Sequence, residues 1–134
     1  MIASLIDTDI LSEFFRENEK VVYHTNNYLQ EYSSVSLSII SYYEILNGLL
    51  YKDARKQLKK FNGFVEINTV LPLSVHAAIL AAEIYADLRR KRETIGHTDS
   101  LIAGIALAND LELVTNNIKH FQRIKGLKLS NWLK

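Results

Sequence analysis

Apolar residues along this chain fall into short continuous runs that alternate with longer stretches of helical spacing. IASLI (residues 2–6) suits a buried strand, and the segment that opens at Thr8 puts Ile10, Leu11, Phe14 and Phe15 on one helical face. The order then repeats. SSVSLSII (33–40) is alternating and β-branched, and SYYEILNGLLYKDARKQLKKF (41–61) carries Tyr42, Ile45, Leu46, Leu49 and Leu50 at helical spacing. FVEINTVLPL (64–73) reads as a strand ended by proline, and SVHAAILAAEIYADLRRKR (74–92) as a long helix opened by Ser74 and closed near Gly96. A further helix, TDSLIAGIALANDL, leads into a strand, LELVTNN (111–117), and GLKLSNWL supplies a final edge strand. Strands alternating with helices of this length predict right-handed crossovers and an α/β fold, its mostly parallel sheet covered on both faces.

One proline, five glycines and no repeat or low-complexity linker give a single domain over residues 1–134. The absence of cysteine removes thiol catalysis and zinc–thiolate sites and fits a reducing compartment. No apolar run reaches the ~20 residues of a membrane span, and the N-terminus lacks a basic start and a cleavage site, so the expectation is a soluble, cytoplasmic protein without membrane contact. A formal net charge of +1 does not mark a nucleic-acid binder, but the basic residues are clustered, in KDARKQLKK (52–60), RRKR (89–92) and KHFQRIKGLK (119–128). Such runs are ordinarily solvated helix faces; clustered, they also suit a phosphate backbone.

In parallel sheets ligands collect at the carboxyl ends of strands, where the connectivity reverses. Asp7 lies just past the first strand and residues 115–117 just past a later one. Three acids stand at the starts of apolar helices: Asp7 in LIDTDILS, Glu44 in SYYEILNGL and Asp99 in IGHTDSLIAGIAL. Taken singly, each has a local explanation. Asp7, Thr8 or Asp9 suits a helix cap, Ser41 and Glu44 have the spacing of a capping box, and Asp99 complements a helix dipole. Taken together, they offer the oxygen donors that a hard divalent cation prefers, and Mg²⁺ or Mn²⁺ needs only one or two of them directly. Without a cation they would repel one another.

The ordered segments LIDTDILS, SIISYYEILNGLL, IGHTDSLIAGIALAND and LELVTNNIKHFQRIKGLKL span nearly the whole chain, and in that order the sequence resembles the PIN-domain nucleases, most closely the VapC-type toxins of type II toxin–antitoxin pairs. The resemblance implies a three-layer α/β/α fold with four to five strands and a metal-dependent endoribonuclease that cleaves tRNA or another structured RNA to inhibit translation. Residue by residue, it makes Asp7, Glu44, Asp99 and Asn117 the catalytic set, with Asp7 and Asp99 holding Mg²⁺ or Mn²⁺. Thr8, Asp9 and Thr115 support them. Asn117 stands where many members have a fourth acid; an amide oxygen adds no charge and leaves one or two metals open. In this reading the metal lowers the pKa of a bound water, and Glu44 orients or deprotonates that water. Arg89, Arg90, Lys91 and Arg92 are candidates for RNA backbone contacts. The resemblance also implies a VapB-type antitoxin, a homodimer and a higher toxin–antitoxin assembly. Ile10, Leu11, Phe14, Phe15, Leu49 and Leu50 are candidates for an antitoxin groove, or ordinary core.

Other readings compete. A PIN fold that binds RNA without cutting it is favoured by Asn117. A phospho-receiver domain also has a parallel sheet with acids at strand ends, but FVEINTV ends without the central aspartate that it requires. His97 and His120 suggest a mixed nitrogen–oxygen site, against which the carboxylate majority argues. Tyr23, Tyr28, Tyr42 and Tyr43 suit base stacking or the core.

Overall fold

Leu5 and Ile6 send adjacent side chains to opposite faces of a sheet, and the layers of the protein follow from that alternation. A computed structural model describes residues 2–134. Five short strands, β1 (Ser4–Ile6), β2 (Ser36–Ser38), β3 (Thr69–Leu71), β4 (Glu112–Val114) and β5 (Leu129–Ser130), form one sheet in the order β3-β2-β1-β4-β5. Every pairing is parallel, with Leu5 opposite Leu113 and Leu37 opposite Val70. Leu5, Leu71 and Leu113 pack on one face against Ala77, Leu88, Ile102, Ile105 and Phe121. Ile6, Leu37, Val70 and Val114 pack on the other against Ile10, Leu11, Val21, Phe61 and Trp132.

Those partners come from helices that divide between the faces. α1 (Thr8–Phe15), α2 (Glu19–Glu31) and α4 (Arg55–Ile67) bury residues on the Ile6 side, and α3 (Ile39–Tyr51) packs Tyr42, Ile45 and Leu49 there. α5 (Val75–Arg90), α6 (His97–Ala108) and the short α7 (Ile118–Phe121) cover the Leu5 side. This is the expected three-layer α/β/α arrangement. The strand order also excludes the phospho-receiver reading, because receivers order their strands 2-1-3-4-5.

The order reverses at β1. From there the chain runs outward through β2 and β3, then returns to β4 on β1's other side, so the crevice opens between the carboxyl ends of β1 and β4. Asp7 and Thr115 are the next residues after those two strands.

Two helices expected as continuous are each broken in two. The stretch from Thr8 divides at Glu17, and the 41–61 stretch divides at Asp53, with α4 continuing to Ile67 and leaving only Thr69–Leu71 of the 64–73 segment as strand. The cause is a repeated terminus. Glu17, Asp53, Arg92 and Asp110 all have φ between 52° and 62°, and each lies two residues past the end of α1, α3, α5 or α6. Behind each, the next amide reaches back to a carbonyl of the last turn: Asn18 to Glu13, Ala54 to Leu49, Glu93 to Leu88 and Leu111 to Ala106. This is the left-handed stop that glycine ordinarily supplies, made here by charged side chains. Gly96, expected to close α5, instead caps α6.

α5 and α6 cross where their side chains are small. A Cβ on Gly104 would lie 2.5 Å from the carbonyl oxygen of Ala77 and 2.9 Å from the Cβ of Ala81. Gly104→Ala is therefore expected to destabilise the protein by about 1–3 kcal/mol through overpacking, offset in part by the ~1 kcal/mol that alanine gains in a helix. Urea unfolding checks it: the midpoint should fall with the slope unchanged, and an unchanged midpoint would show that the helices can separate without cost.

Candidate active site

Asp7 is fixed before its side chain is considered. Its backbone N–H donates to Val114 O at 2.9 Å, and its extended backbone makes it the N-cap of α1. The carboxylate then accepts on both oxygens, from the Thr8 N–H on Oδ1 (2.8 Å) and from Thr115 Oγ1 on Oδ2 (2.8 Å). Asp9 lies two positions further on, in the first turn of α1. It accepts from the Ile10 N–H on Oδ1 (2.8 Å) and from the Asn116 N–H on Oδ2 (3.0 Å), with Thr115 Oγ1 at 3.5 Å. The two aspartates thus clamp the chain that follows β4.

Glu44 arrives from α3. Ser38 caps this helix, its Oγ accepting from the Ser41 N–H at 2.9 Å, so the Ser41–Glu44 spacing is not the expected capping box. Glu44 turns towards α1 instead. Thr8 Oγ1 lies 2.7 Å from Glu44 Oε1 and 2.8 Å from Ser41 Oγ, joining the start of α1 to the first turns of α3. Asp99 comes from the first turn of α6, and its Oδ2 lies 3.0 Å from His120 Nε2 on α7.

These acids feel one another. Asp7 is only 6% exposed, and its pKa is pushed up to about 7, chiefly by burial, then by the charge of Asp9 and also by that of Asp99, against the lowering effect of the Thr115 and Thr8 hydrogen bonds. Burial likewise raises the pKa of Asp9. The action of Asp99 on Asp7 brings the acid of α6 into the electrostatic field of the β1 end.

Asp7, Thr8, Asp9 and Thr115 form one hydrogen-bonded group that Glu44 joins through Thr8, and Asp99 is coupled to it by charge. Asn117 stands apart: it is exposed, begins α7 without a side-chain capping bond, and uses its backbone N–H to hold Thr115 Oγ1 at 3.0 Å. Its neighbour Asn116 is the residue tied to Asp9. Arg89, Arg90, Lys91 and Arg92 end α5 on an exposed surface, where Arg90 and Lys91 pair with Asp87 at 3.7 and 3.2 Å. Ser41, expected only as a helix cap, and Asn116, expected only as part of the 115–117 segment, also contact the site side chains, Ser41 at Thr8 and Asn116 at Asp9. Ser41 had a signal, since it stands three residues before Glu44 on the same helix face. Asn116 had none, because it contributes a backbone amide.

Among the described residues no three His, Cys, Asp or Glu side chains gather closely enough to hold an ion by themselves. Asp7 and Asp99 nevertheless offer carboxylate oxygens from separate elements, the donor chemistry that suits a hard divalent cation keeping several of its waters.

The chain belongs to the PIN domain family, whose profile matches residues 4–127. It is 35% identical over 101 residues to the tRNA(fMet)-specific endonuclease VapC of Salmonella typhimurium, a match covering 75% of this chain and 76% of the relative. Ribonuclease VapC2 of Rickettsia felis is 30% identical over 129 residues, 96% of each chain. Among solved structures, that of VapBC2 from Rickettsia felis bound to a DNA fragment from its promoter superposes with a TM-score of 0.87 at 28% identity, covering 98% of this chain and 99% of the other.

The raised pKa of Asp7 has a consequence for the metal-free protein. The folded state keeps a proton on Asp7 up to about pH 7, whereas the unfolded chain releases it near 3.8, so the folded state binds more protons between those values. Metal-free stability is therefore expected to fall as pH rises from about 4 to about 7, by an amount on the order of a few kcal/mol. Asp7→Asn should flatten that fall and be the more stable form at pH 8. Denaturation midpoints across the range check it, and parallel curves for the two proteins would contradict it.

Proposed function

We propose that this protein is a VapC-type endoribonuclease, the toxin of a type II toxin–antitoxin pair, which hydrolyses phosphodiester bonds of tRNA or another structured RNA and so inhibits translation. The observation that carries the reading is the convergence of Asp7, Asp99 and, through Thr8, Glu44 at the switch point of the sheet. In this proposal Asp7 and Asp99 hold the Mg²⁺ or Mn²⁺, and Asn117 adds an amide oxygen but no charge, so that a second ion would bind more weakly than in a four-acid site. The ion, when bound, supplies Lewis acidity at the scissile phosphate and acidifies water.

The chain's own residues do the rest. Thr115 and the Thr8 N–H orient the Asp7 carboxylate, and Asp9 holds the 115–116 backbone beside it. Glu44, steadied through Oε1 by Thr8, is the group placed to take a proton from the attacking water. Asn117, at the exposed edge of this group, is placed to hydrogen-bond substrate or water with its amide. Arg89, Arg90, Lys91 and Arg92 give the RNA backbone a basic approach, which makes binding weaken as salt rises. The purified protein is expected to cut tRNA in Mg²⁺ or Mn²⁺, with Asp7→Asn and Asp99→Asn each lowering the rate at least ~100-fold, the scale of losing a group that acts at the transition state. RNA bound but uncut under several metals would favour a binding-only PIN protein, and cleavage surviving both changes would remove the metal chemistry.

A toxin of this kind needs an antitoxin. A groove of about 540 Å³ runs between α1, α3 and α4, lined by Phe15, Ile45, Leu49 and Phe61 together with Thr8 and Glu44. An antitoxin segment seated there would cover Glu44. Of the residues expected to line such a groove, Phe15 and Leu49 do so, whereas Ile10 and Leu11 are buried in the core. A homodimer has exposed apolar surface available at Val75 and Ile79 of α5 and at Tyr43 of α3. Co-expressed with the neighbouring small open reading frame, the protein is expected to co-purify with its product, and light scattering is expected to count two copies of this chain in the complex. A toxin that elutes alone, or as a single copy, would overturn the partner or the dimer respectively.

A further inference from the structure

The proposed chemistry leaves unused two side chains at and just past α7, His120 and Arg123. Arg123 makes three contacts: Nε donates to His120 O at 2.9 Å, Nη1 donates to Thr94 O at 3.0 Å, and Nη2 lies 3.2 Å from His120 Nδ1. A guanidinium has donors and no acceptor. His120 Nδ1 must therefore accept, which puts the ring proton on Nε2, the nitrogen that lies 3.0 Å from Asp99 Oδ2. Arg123 thus fixes both the tautomer and the direction of the imidazole. Through Thr94 it also ties the end of α7 to the connection that enters α6, the helix carrying Asp99.

We propose that His120 and Arg123 are positioning residues for Asp99: the Nε2–H of His120 holds Oδ2, turning Oδ1 towards the cation, and Arg123 holds His120. The inference rests on the reading that Asp99 binds the ion. A ligand carboxylate oriented by a neutral donor keeps its charge while losing its rotational freedom, and partners of this kind are typically worth 10–100-fold in metal affinity.

Mn²⁺ binding, followed by titration with electron paramagnetic resonance, tests it without recourse to activity. His120→Ala is expected to weaken binding by ~10-fold or more. His120→Gln, whose amide nitrogen reaches about as far as Nε2, should recover most of that loss. Arg123→Lys keeps the charge but not the fork, and should weaken binding in the same direction by less. Combining Arg123→Lys with His120→Ala should add little to His120→Ala alone, because both act through one carboxylate. If the unsubstituted protein binds Mn²⁺ and Asp99→Asn does not, then unchanged affinity in His120→Ala, or no recovery in His120→Gln, overturns the positioning role while leaving the metal site standing. Failure of the unsubstituted protein to bind Mn²⁺ overturns the metal site, and this inference with it.

Discussion

The burial of one carboxylate, Asp7, beside other acids is the constraint around which the rest is arranged. Asp7 sits almost wholly out of solvent with Asp9 two residues away and Asp99 within its field, an arrangement that burial and like charge both oppose. A chain selected for stability alone would place an amide or an apolar residue there. What makes the acids tolerable is the density of donors around them: Thr115 Oγ1 and the amides of Thr8, Ile10 and Asn116 all point at the pair. Among the described residues no buried side-chain polar atom lacks a partner, so the site is strained by charge and not by unmet hydrogen bonds.

The scaffold serves that arrangement by being short and stiff. The strands span two or three residues each, too few for the sheet to hold itself together by hydrogen bonds alone. Its order comes from two apolar layers that grip alternate side chains of the same strands, Leu5 and Leu113 on one face, Ile6 and Val114 on the other. Because β1 and β4 pair in register, the residues that follow them emerge side by side, and a slip of one position would send Asp7 into a core layer. The α5–α6 contact at Gly104 does the same for the other half of the site. It holds α6 flat against its neighbour and so fixes where the first turn, with Asp99, stands.

The parallel sheet, most strands and helices, and the positions of Asp7 and Asp99 at element starts were legible in the sequence, because hydrophobic period and cap residues are local signals, whereas Glu44 lies in the second turn of α3, which opens at Ile39 and not at Ser41. The helix stops were not. A reader expects glycine at a left-handed stop, whereas this chain places Glu17, Asp53, Arg92 and Asp110 there, held by backbone bonds that no side chain announces. Gly96 misled for the complementary reason: it opens a helix instead of ending one. Tyr28, a candidate for base stacking, is buried, and its hydroxyl accepts from the Ser4 N–H at 3.0 Å; only tertiary structure could separate it from the exposed Tyr23 and Tyr43. The role of Asn116 lay in a backbone amide, which sequence motifs cannot express.

The choice between helix cap and functional acid, posed for each residue separately, turns out to be a false one. Asp7 is a cap, accepting from Thr8 at the first turn of α1, and it is also the most buried and most perturbed acid of the cleft. The two roles are compatible because a carboxylate has about four lone-pair positions and the cap consumes one. Thr115 takes a second, on the other oxygen, which leaves each oxygen of Asp7 with one direction open and the plane of the group fixed. Glu44 and Asp99 are each held through a single oxygen, by Thr8 and by His120. Capping thus aims Asp7, and side-chain contacts aim Glu44 and Asp99: the hydrogen bonds that make these acids look structural also determine which of their lone pairs remain open.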